Sequence, residues 1–173
     1  MTAPRSLIDA ESLAARVREL GVAIRRDHGD DEVVLVGVLK GSFVFLADLA
    51  RAIEGPVRIE MLAVRSYGAS TQSSGVVQIT MDLAASIENA HVVVVEDIVD
   101  TGLTMAYLLE LLEGRKPASL RLATLLHKPA RTRRAVPIDY LGFTIDDVFV
   151  VGYGLDHAER YRNLPYVGVL EEA

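Results

Sequence analysis

Val92-Val93-Val94-Val95-Glu96-Asp97-Ile98-Val99-Asp100-Thr101-Gly102-Leu103-Thr104 is the stretch that decides the reading of this chain. Four consecutive β-branched residues closed by turn residues predict a strand buried on both faces, as in a parallel sheet. A Thr-Gly turn follows, and then a helical pattern from Thr104 through Leu112. Open α/β sheets place their ligands at such strand-to-helix turns, outside the carboxyl ends of the strands. The helix start offers unpaired N–H groups and the positive end of a dipole, which suits a phosphate. The adjacent acids Glu96 and Asp97 would repel a phosphate unless they face sugar hydroxyls or a cation that also holds phosphate. A phosphorylated sugar satisfies both halves of the turn. A capped helix after a core strand would explain the Thr and Asp of the turn, but not the acidic pair.

Outward from this turn, strand and helix patterns alternate. Leu13, Val17, Leu20 and Ile24 recur at helical spacing between Asp9, a plausible N-cap, and the stop His28-Gly29. Val33 to Val38 reads as a buried strand and Ser42 to Ile53 as the helix after it. Val57 to Ser66 alternates loosely, with Val57, Ile59 and Met61 expected inward and Arg58 and Glu60 outward. Residues 67–76 have no hydrophobic period and read as a mobile loop, after which Val77 to Met81 resumes a strand. Further strand-like runs lie at Leu120 to Leu126, Tyr140 to Thr144, Val148 to Val151 and Tyr166 to Leu170. The alternation predicts an α/β fold, a mostly parallel central sheet flanked by helices. No repeat or linker divides the chain, so residues 1–173 are expected to form one domain.

Composition narrows the class. Of 173 residues, 50% are hydrophobic and 24% charged, which predicts an ordered globular chain with a proper core. With no cysteine, disulfides and thiolate metal sites are excluded, which is compatible with a reducing cytoplasm. No basic segment leading into an apolar run marks a secretory signal, and no apolar stretch approaches the ~20 residues of a membrane span. A formal net charge of −6 argues against a general nucleic-acid binder, though not against small phosphorylated substrates. His28, His91, His127 and His157 share no spacing that suggests zinc. P-loop and dinucleotide fingerprints are missing, which removes those readings.

The acidic turn resembles the phosphoribosyl diphosphate (PRPP) signature of the type I phosphoribosyltransferases, two hydrophobics, two acids, a short spacer, then Asp-Thr/Ser-Gly-x-Thr. The chain as a whole is similar to the hypoxanthine (hypoxanthine-guanine) branch of that family, in its bacterial form. Leu39-Lys40-Gly41-Ser42, Arg65-Ser66-Tyr67-Gly68, Leu126-His127-Lys128-Pro129 and Phe149-Val150-Val151-Gly152-Tyr153-Gly154-Leu155-Asp156 match in order and near the family's spacing. They span roughly residues 35 to 170. Leu103 stands where some eukaryotic relatives carry Lys. The chain ends, which usually build a small hood over the base, resemble the family only loosely.

The resemblance implies a purine-salvage enzyme that joins hypoxanthine or guanine to PRPP, giving IMP or GMP and pyrophosphate, with Mg2+. It would be cytoplasmic and a homodimer or homotetramer. On that reading Glu96 and Asp97 face the ribose hydroxyls, directly or through magnesium, with Asp156 helping to place the metal. Ile98, Val99, Asp100, Thr101, Gly102, Leu103 and Thr104 form the ribose-phosphate site. Asp100 matches the general base for the purine N7 proton, if burial raises its pKa towards neutrality. Leu39, Lys40, Gly41, Ser66, Tyr67 and Arg162 would contact pyrophosphate, and in the family the Leu-Lys peptide is often cis. Ile98, Lys128, Phe149, Val150 and Asp156 would contact the purine: Lys128 donates to the 6-oxo group and Phe149 stacks on the ring.

Plainer readings of the same residues remain beside these. Lys40-Gly41-Ser42 alone is a strand-to-helix turn, Lys128 a solvated strand-end lysine, Phe149 core packing, and Asp156 and Arg162 surface charges paired with neighbours. A rival function on the same fold is a regulator resembling the RNA-binding pyrimidine-operon attenuator. That protein should carry a basic face, and the acidic balance of this chain disfavours it.

Overall fold

The two central strands explain why the molecule has helices on both sides. In strand β2 (Val33–Leu39) and strand β5 (His91–Val99), every residue of the two valine-rich runs is buried. Alternate residues feed opposite cores. Val33, Leu35, Val93 and Val95 pack with Leu13, Val17, Leu20 and Ile24 of helix α1 (Ala10–His28) and Phe45 and Leu49 of helix α2 (Phe43–Ala52). Val34, Val36, Val92 and Val94 pack with Met105, Leu108 and Leu112 of helix α3 (Leu103–Glu113). Each side chain so enclosed contributes roughly 1.5–3 kcal/mol relative to exposure.

This computed structural model describes residues 3–66 and 77–170, with the side chain of Ser66 excepted. The remaining strands are β1 (Arg5–Ile8), β3 (Val57–Ser66), β4 (Val77–Met81), β6 (Ser119–His127), β7 (Tyr140–Thr144), β8 (Val150–Val151) and β9 (Val167–Val169). The main sheet runs β4-β3-β2-β5-β6-β7, parallel throughout except for β4, which pairs antiparallel with β3. A second sheet, β1-β9-β8, is antiparallel and brings the two chain ends together. The α/β class, the parallel sheet and the small piece built from the termini all match expectation. Because β2, β5 and β6 are parallel neighbours, the segments following Leu39, Val99 and His127 emerge along one edge.

Helix α1 starts as the sequence predicts: Asp9 Oδ1 accepts the Ser12 N–H at 2.8 Å, and Gly29 follows the last turn at φ 58°. Three readings need correction. Strand β1 has no counterpart in the sequence reading. The run at Val148 to Val151 yields only the two residues of β8. Strand β3 is inverted: Ile59 and Met61 are exposed, while Glu60 is buried with Leu62. Glu60 tolerates burial because Arg58 Nη1 and the Ala84 N–H donate to its two oxygens at 3.1 and 3.0 Å. Ile59 and Met61 lie beside Leu35 and Gly37, at the sheet's flank on the α1/α2 face. The expectations for Tyr67, the Ser66 side chain and the mobile loop 67–76 fall outside the described residues.

Candidate functional site

The acidic turn is the end of β5. Strand pairing continues through Glu96, Ile98 and Val99 opposite Thr124, Leu126 and His127, so both acids stand on rigid backbone. Each keeps some exposed surface, but Glu96 Oε2 is out of contact with solvent and has no hydrogen-bond partner. Burial, reinforced by the Asp97 charge, pushes the Glu96 carboxyl well above the ordinary carboxylate range. Burial raises Asp97 as well, against the opposing pull of its hydrogen bonds, that from the Ile98 N–H to Oδ1 at 2.8 Å included, and of the Arg162 charge. A cation against this pair would reverse both shifts and give Oε2 the partner it lacks.

Beyond Val99 the chain turns through Asp100, Thr101 and Gly102, the last at φ 78°. Gly102 caps α3 without a side-chain hydrogen bond, and the Leu103 N–H donates only a long bond, 3.5 Å, to the Thr101 hydroxyl, so the start of the helix keeps donors for a ligand. A cavity of about 140 Å³ opens there, lined by Glu96, Ile98, Asp100, Thr101, Gly102 and Thr104 among others. The turn is held from behind: the Thr101 carbonyl accepts from the Arg133 and Arg134 N–H groups at 3.0 and 3.1 Å. A Cβ on Gly102 would lie 2.0 Å from the Arg134 carbonyl oxygen, so only glycine fits.

The segment after β2 comes against the same acids. Its Leu39-Lys40 peptide is cis. The Ser42 hydroxyl donates to the Val38 carbonyl at 2.6 Å, which closes the turn, and Gly41 packs directly on the Asp97 carboxylate. A third segment, following β8, completes the cluster. Arg162 Nη1 donates to the Gly154 carbonyl and Nη2 pairs with Asp156 Oδ1, both at 2.8 Å. Lys40 Nζ reaches Glu159 at 3.2 Å, bridging the two loops. Thus Glu96, Asp97, Gly41 and Arg162 are brought together. Asp156 is engaged differently from the expected metal role: Arg162 holds Oδ1 and the Glu159 N–H donates to Oδ2 at 2.8 Å. Among the described residues, no three acidic or histidine side chains converge as a ready-made cation site.

On the other flank, the Lys128 N–H donates to the Val99 carbonyl at 3.0 Å, which ties the turn after β6 to the acidic turn. The Lys128 side chain is only 10% exposed, with Nζ 3.7 Å from Asp147, so it is not a solvated lysine. Phe149, in contrast, is 52% exposed and meets His157 edge-to-face at 5.4 Å, so its ring face is not consumed by core packing. Val150 is buried in β8, opposite Val169. Asp100 is 39% exposed and accepts from Arg131 Nε at 3.1 Å, so the burial attached to its role is not met in this structure. Arg131 and Asp147 were missed from sequence. Their nearness to Lys128 and Phe149 was the one available signal.

The family profile described as the phosphoribosyl transferase domain matches residues 5–158. A hypoxanthine-guanine phosphoribosyltransferase of Dictyostelium discoideum is 52% identical over 166 residues, covering 94% of this chain and 92% of that protein. The chain belongs to the hypoxanthine-guanine phosphoribosyltransferase family. A bacterial member, from Bacillus subtilis, is 46% identical over 167 residues, covering 96% of this chain and 93% of its own length. The crystal structure of a Bacillus anthracis member, with a HEPES molecule in its active site, superposes with a TM-score of 0.94 at 43% identity. That superposition covers 98% of this chain and all of the other. The fold of the family is therefore the fold described here, from the first strand of the terminal sheet to the last.

Proposed function

We propose that this chain transfers the 5-phosphoribosyl group of PRPP to hypoxanthine or guanine, releasing pyrophosphate and forming IMP or GMP. The observation that carries the reading is the junction of β5 and α3, where a half-buried acidic pair and the N-terminal end of a helix share one turn. A phosphorylated sugar with a bound cation uses both.

The 5′-phosphate would lie on the N–H groups and hydroxyls between Thr101 and Thr104, where the dipole of α3 favours an anion. Pyrophosphate would sit by the backbone of Leu39 to Gly41, facing Arg162. Glu96 and Asp97 would hold Mg2+ together with oxygens of PRPP, since magnesium is commonly bound by one or two carboxylates plus substrate oxygens. When bound, the ion neutralises charge on the departing pyrophosphate. The orphaned Glu96 Oε2 supports this placement. Asp156 would join it while still paired with Arg162.

The purine would stack on Phe149, present its 6-oxo group to Lys128, and place N7 towards Asp100. As N9 bonds to the ribose anomeric carbon, the N7 proton passes to the Asp100 carboxylate. Assembly as a homodimer or homotetramer belongs to the same reading, and sedimentation at assay concentration measures it. No described helix is long and apolar enough to cross a membrane. The direct test mixes protein, PRPP, magnesium and hypoxanthine and follows nucleotide and pyrophosphate. Equimolar appearance of both supports the reading; PRPP bound without turnover would favour the sensor alternative.

A further inference from the structure

Four charged side chains run in alternating sign across the mouth of the site. Asp100 Oδ1 accepts from Arg131 Nε at 3.1 Å, and Arg131 Nη1 lies 3.7 Å from Asp147 Oδ2. The other oxygen of that carboxylate, Oδ1, lies 3.7 Å from Lys128 Nζ. The two ends of this row are the groups assigned above to the purine. The two middle members have no task in that assignment.

Stability does not account for them. Arg131 and Asp147 are 47% and 48% exposed, and ion pairs in such settings contribute little to stability. Geometry does. The short 3-10 turn Pro129–Arg131 fixes Arg131 relative to Lys128, whose carbonyl accepts the Arg131 N–H at 3.1 Å. Lys128 is in turn bonded to Val99, next to Asp100. A guanidinium is a rigid planar fork and can address two carboxylates in fixed directions, which an ammonium cannot. Arg131 binds Asp100 through Oδ1 alone, which sets the direction in which Oδ2 faces.

We propose that Arg131 and Asp147 are positioning residues: Arg131 holds Asp100 with one oxygen presented to the purine, and Asp147 ties that arrangement to Lys128. The inference rests on the roles read above for Asp100 and Lys128. A base that engages both ends then meets them at a set separation, so loosening the bridge costs turnover rather than PRPP binding.

The test is steady-state kinetics with hypoxanthine on Arg131→Gln, Arg131→Lys, Asp147→Asn, the Arg131→Gln/Asp147→Asn pair and Asp100→Asn, with Tm measured on each. Misplacement of a reacting group can cost about 100-fold, so Arg131→Gln should lower kcat by about 10- to 100-fold with the PRPP KM little changed. Arg131→Lys should recover only part of the loss. The double variant should lose less than the product of the single losses, because the residues act as one unit. An unchanged kcat in Arg131→Gln, fully multiplicative losses, or a PRPP KM rising in step with a falling Tm would overturn the proposal. An active Asp100→Asn would instead remove the base reading itself, and the inference with it.

Discussion

A Cβ placed on Gly41 would lie 1.6 Å from Oδ2 of Asp97 and 2.6 Å from its Cγ. The loop after β2 and the acidic end of β5 therefore touch with no room for a methyl group, and the pyrophosphate and metal positions proposed here are mechanically joined. In Gly41→Ala the Asp97 carboxyl must swing aside. Because that group is the end of a side chain, the stability cost should stay near 1 kcal/mol, a fall of about 2–4 °C in Tm. The PRPP KM should rise by about tenfold, which corresponds to about 1.4 kcal/mol. An unaltered KM would separate Gly41 from PRPP binding.

Gly102→Ala should act on the fold and the site together. The new methyl meets a backbone oxygen, which cannot step away, and the residue is held at φ 78°. Left-handed conformation alone costs a non-glycine residue about 1–2 kcal/mol. A total loss of at least about 2 kcal/mol, or about 4–8 °C in Tm, is expected, together with weakened PRPP binding. Wild-type Tm and PRPP affinity in this variant would contradict the cradle described for α3.

The acidic pair sets a pH dependence whose sign is fixed by its environment. Glu96 is held well above its ordinary value of 4.5, so the folded chain retains a proton that the unfolded chain releases. The stability it contributes is complete below about 4.5 and is lost as pH rises through the elevated value. In chelator, Glu96→Gln should therefore gain Tm relative to wild type as pH increases over that window. Magnesium with PRPP should narrow the gap by stabilising the ionised pair. A difference that is flat with pH would show that Glu96 is not enclosed as described.

Lys128→Met keeps most of the buried bulk but removes the donor. A hydrogen bond from a charged group contributes about 1.5–3 kcal/mol, so kcat/KM for hypoxanthine should fall by about 10- to 100-fold. The PRPP KM should not follow. Full activity with hypoxanthine in this variant would assign the 6-oxo contact elsewhere.

Much of the architecture was legible because its signals are local. Val33 to Val38 and Val92 to Val95 carry β-branched residues on both faces, a pattern that suits a strand covered on both sides. Asp9 and His28-Gly29 bracket α1 by capping chemistry alone. Strand β1 was invisible since three of its four residues are exposed and it pairs with the distant β9. The phase of β3 was misread because periodicity cannot foresee that a remote amide, Ala84, satisfies a buried Glu60. In the candidate site, the placement of Glu96, Asp97 and the Thr101 to Thr104 turn at one strand-to-helix junction was readable from type and spacing. Arg131 and Asp147 were not, since their relation to Asp100 and Lys128 exists only once β5, β6 and the segment before β8 are folded together.

The most direct measurement compares hypoxanthine and adenine as acceptors with PRPP and magnesium, by kcat/KM for nucleotide formation. Adenine offers a 6-amino donor where Lys128 also donates, and such a mismatch commonly costs a factor of about 10⁴ or more. Rapid turnover of hypoxanthine or guanine with adenine nearly inert is the predicted result. Equal use of both bases, or none of either while PRPP binds, would contradict the account.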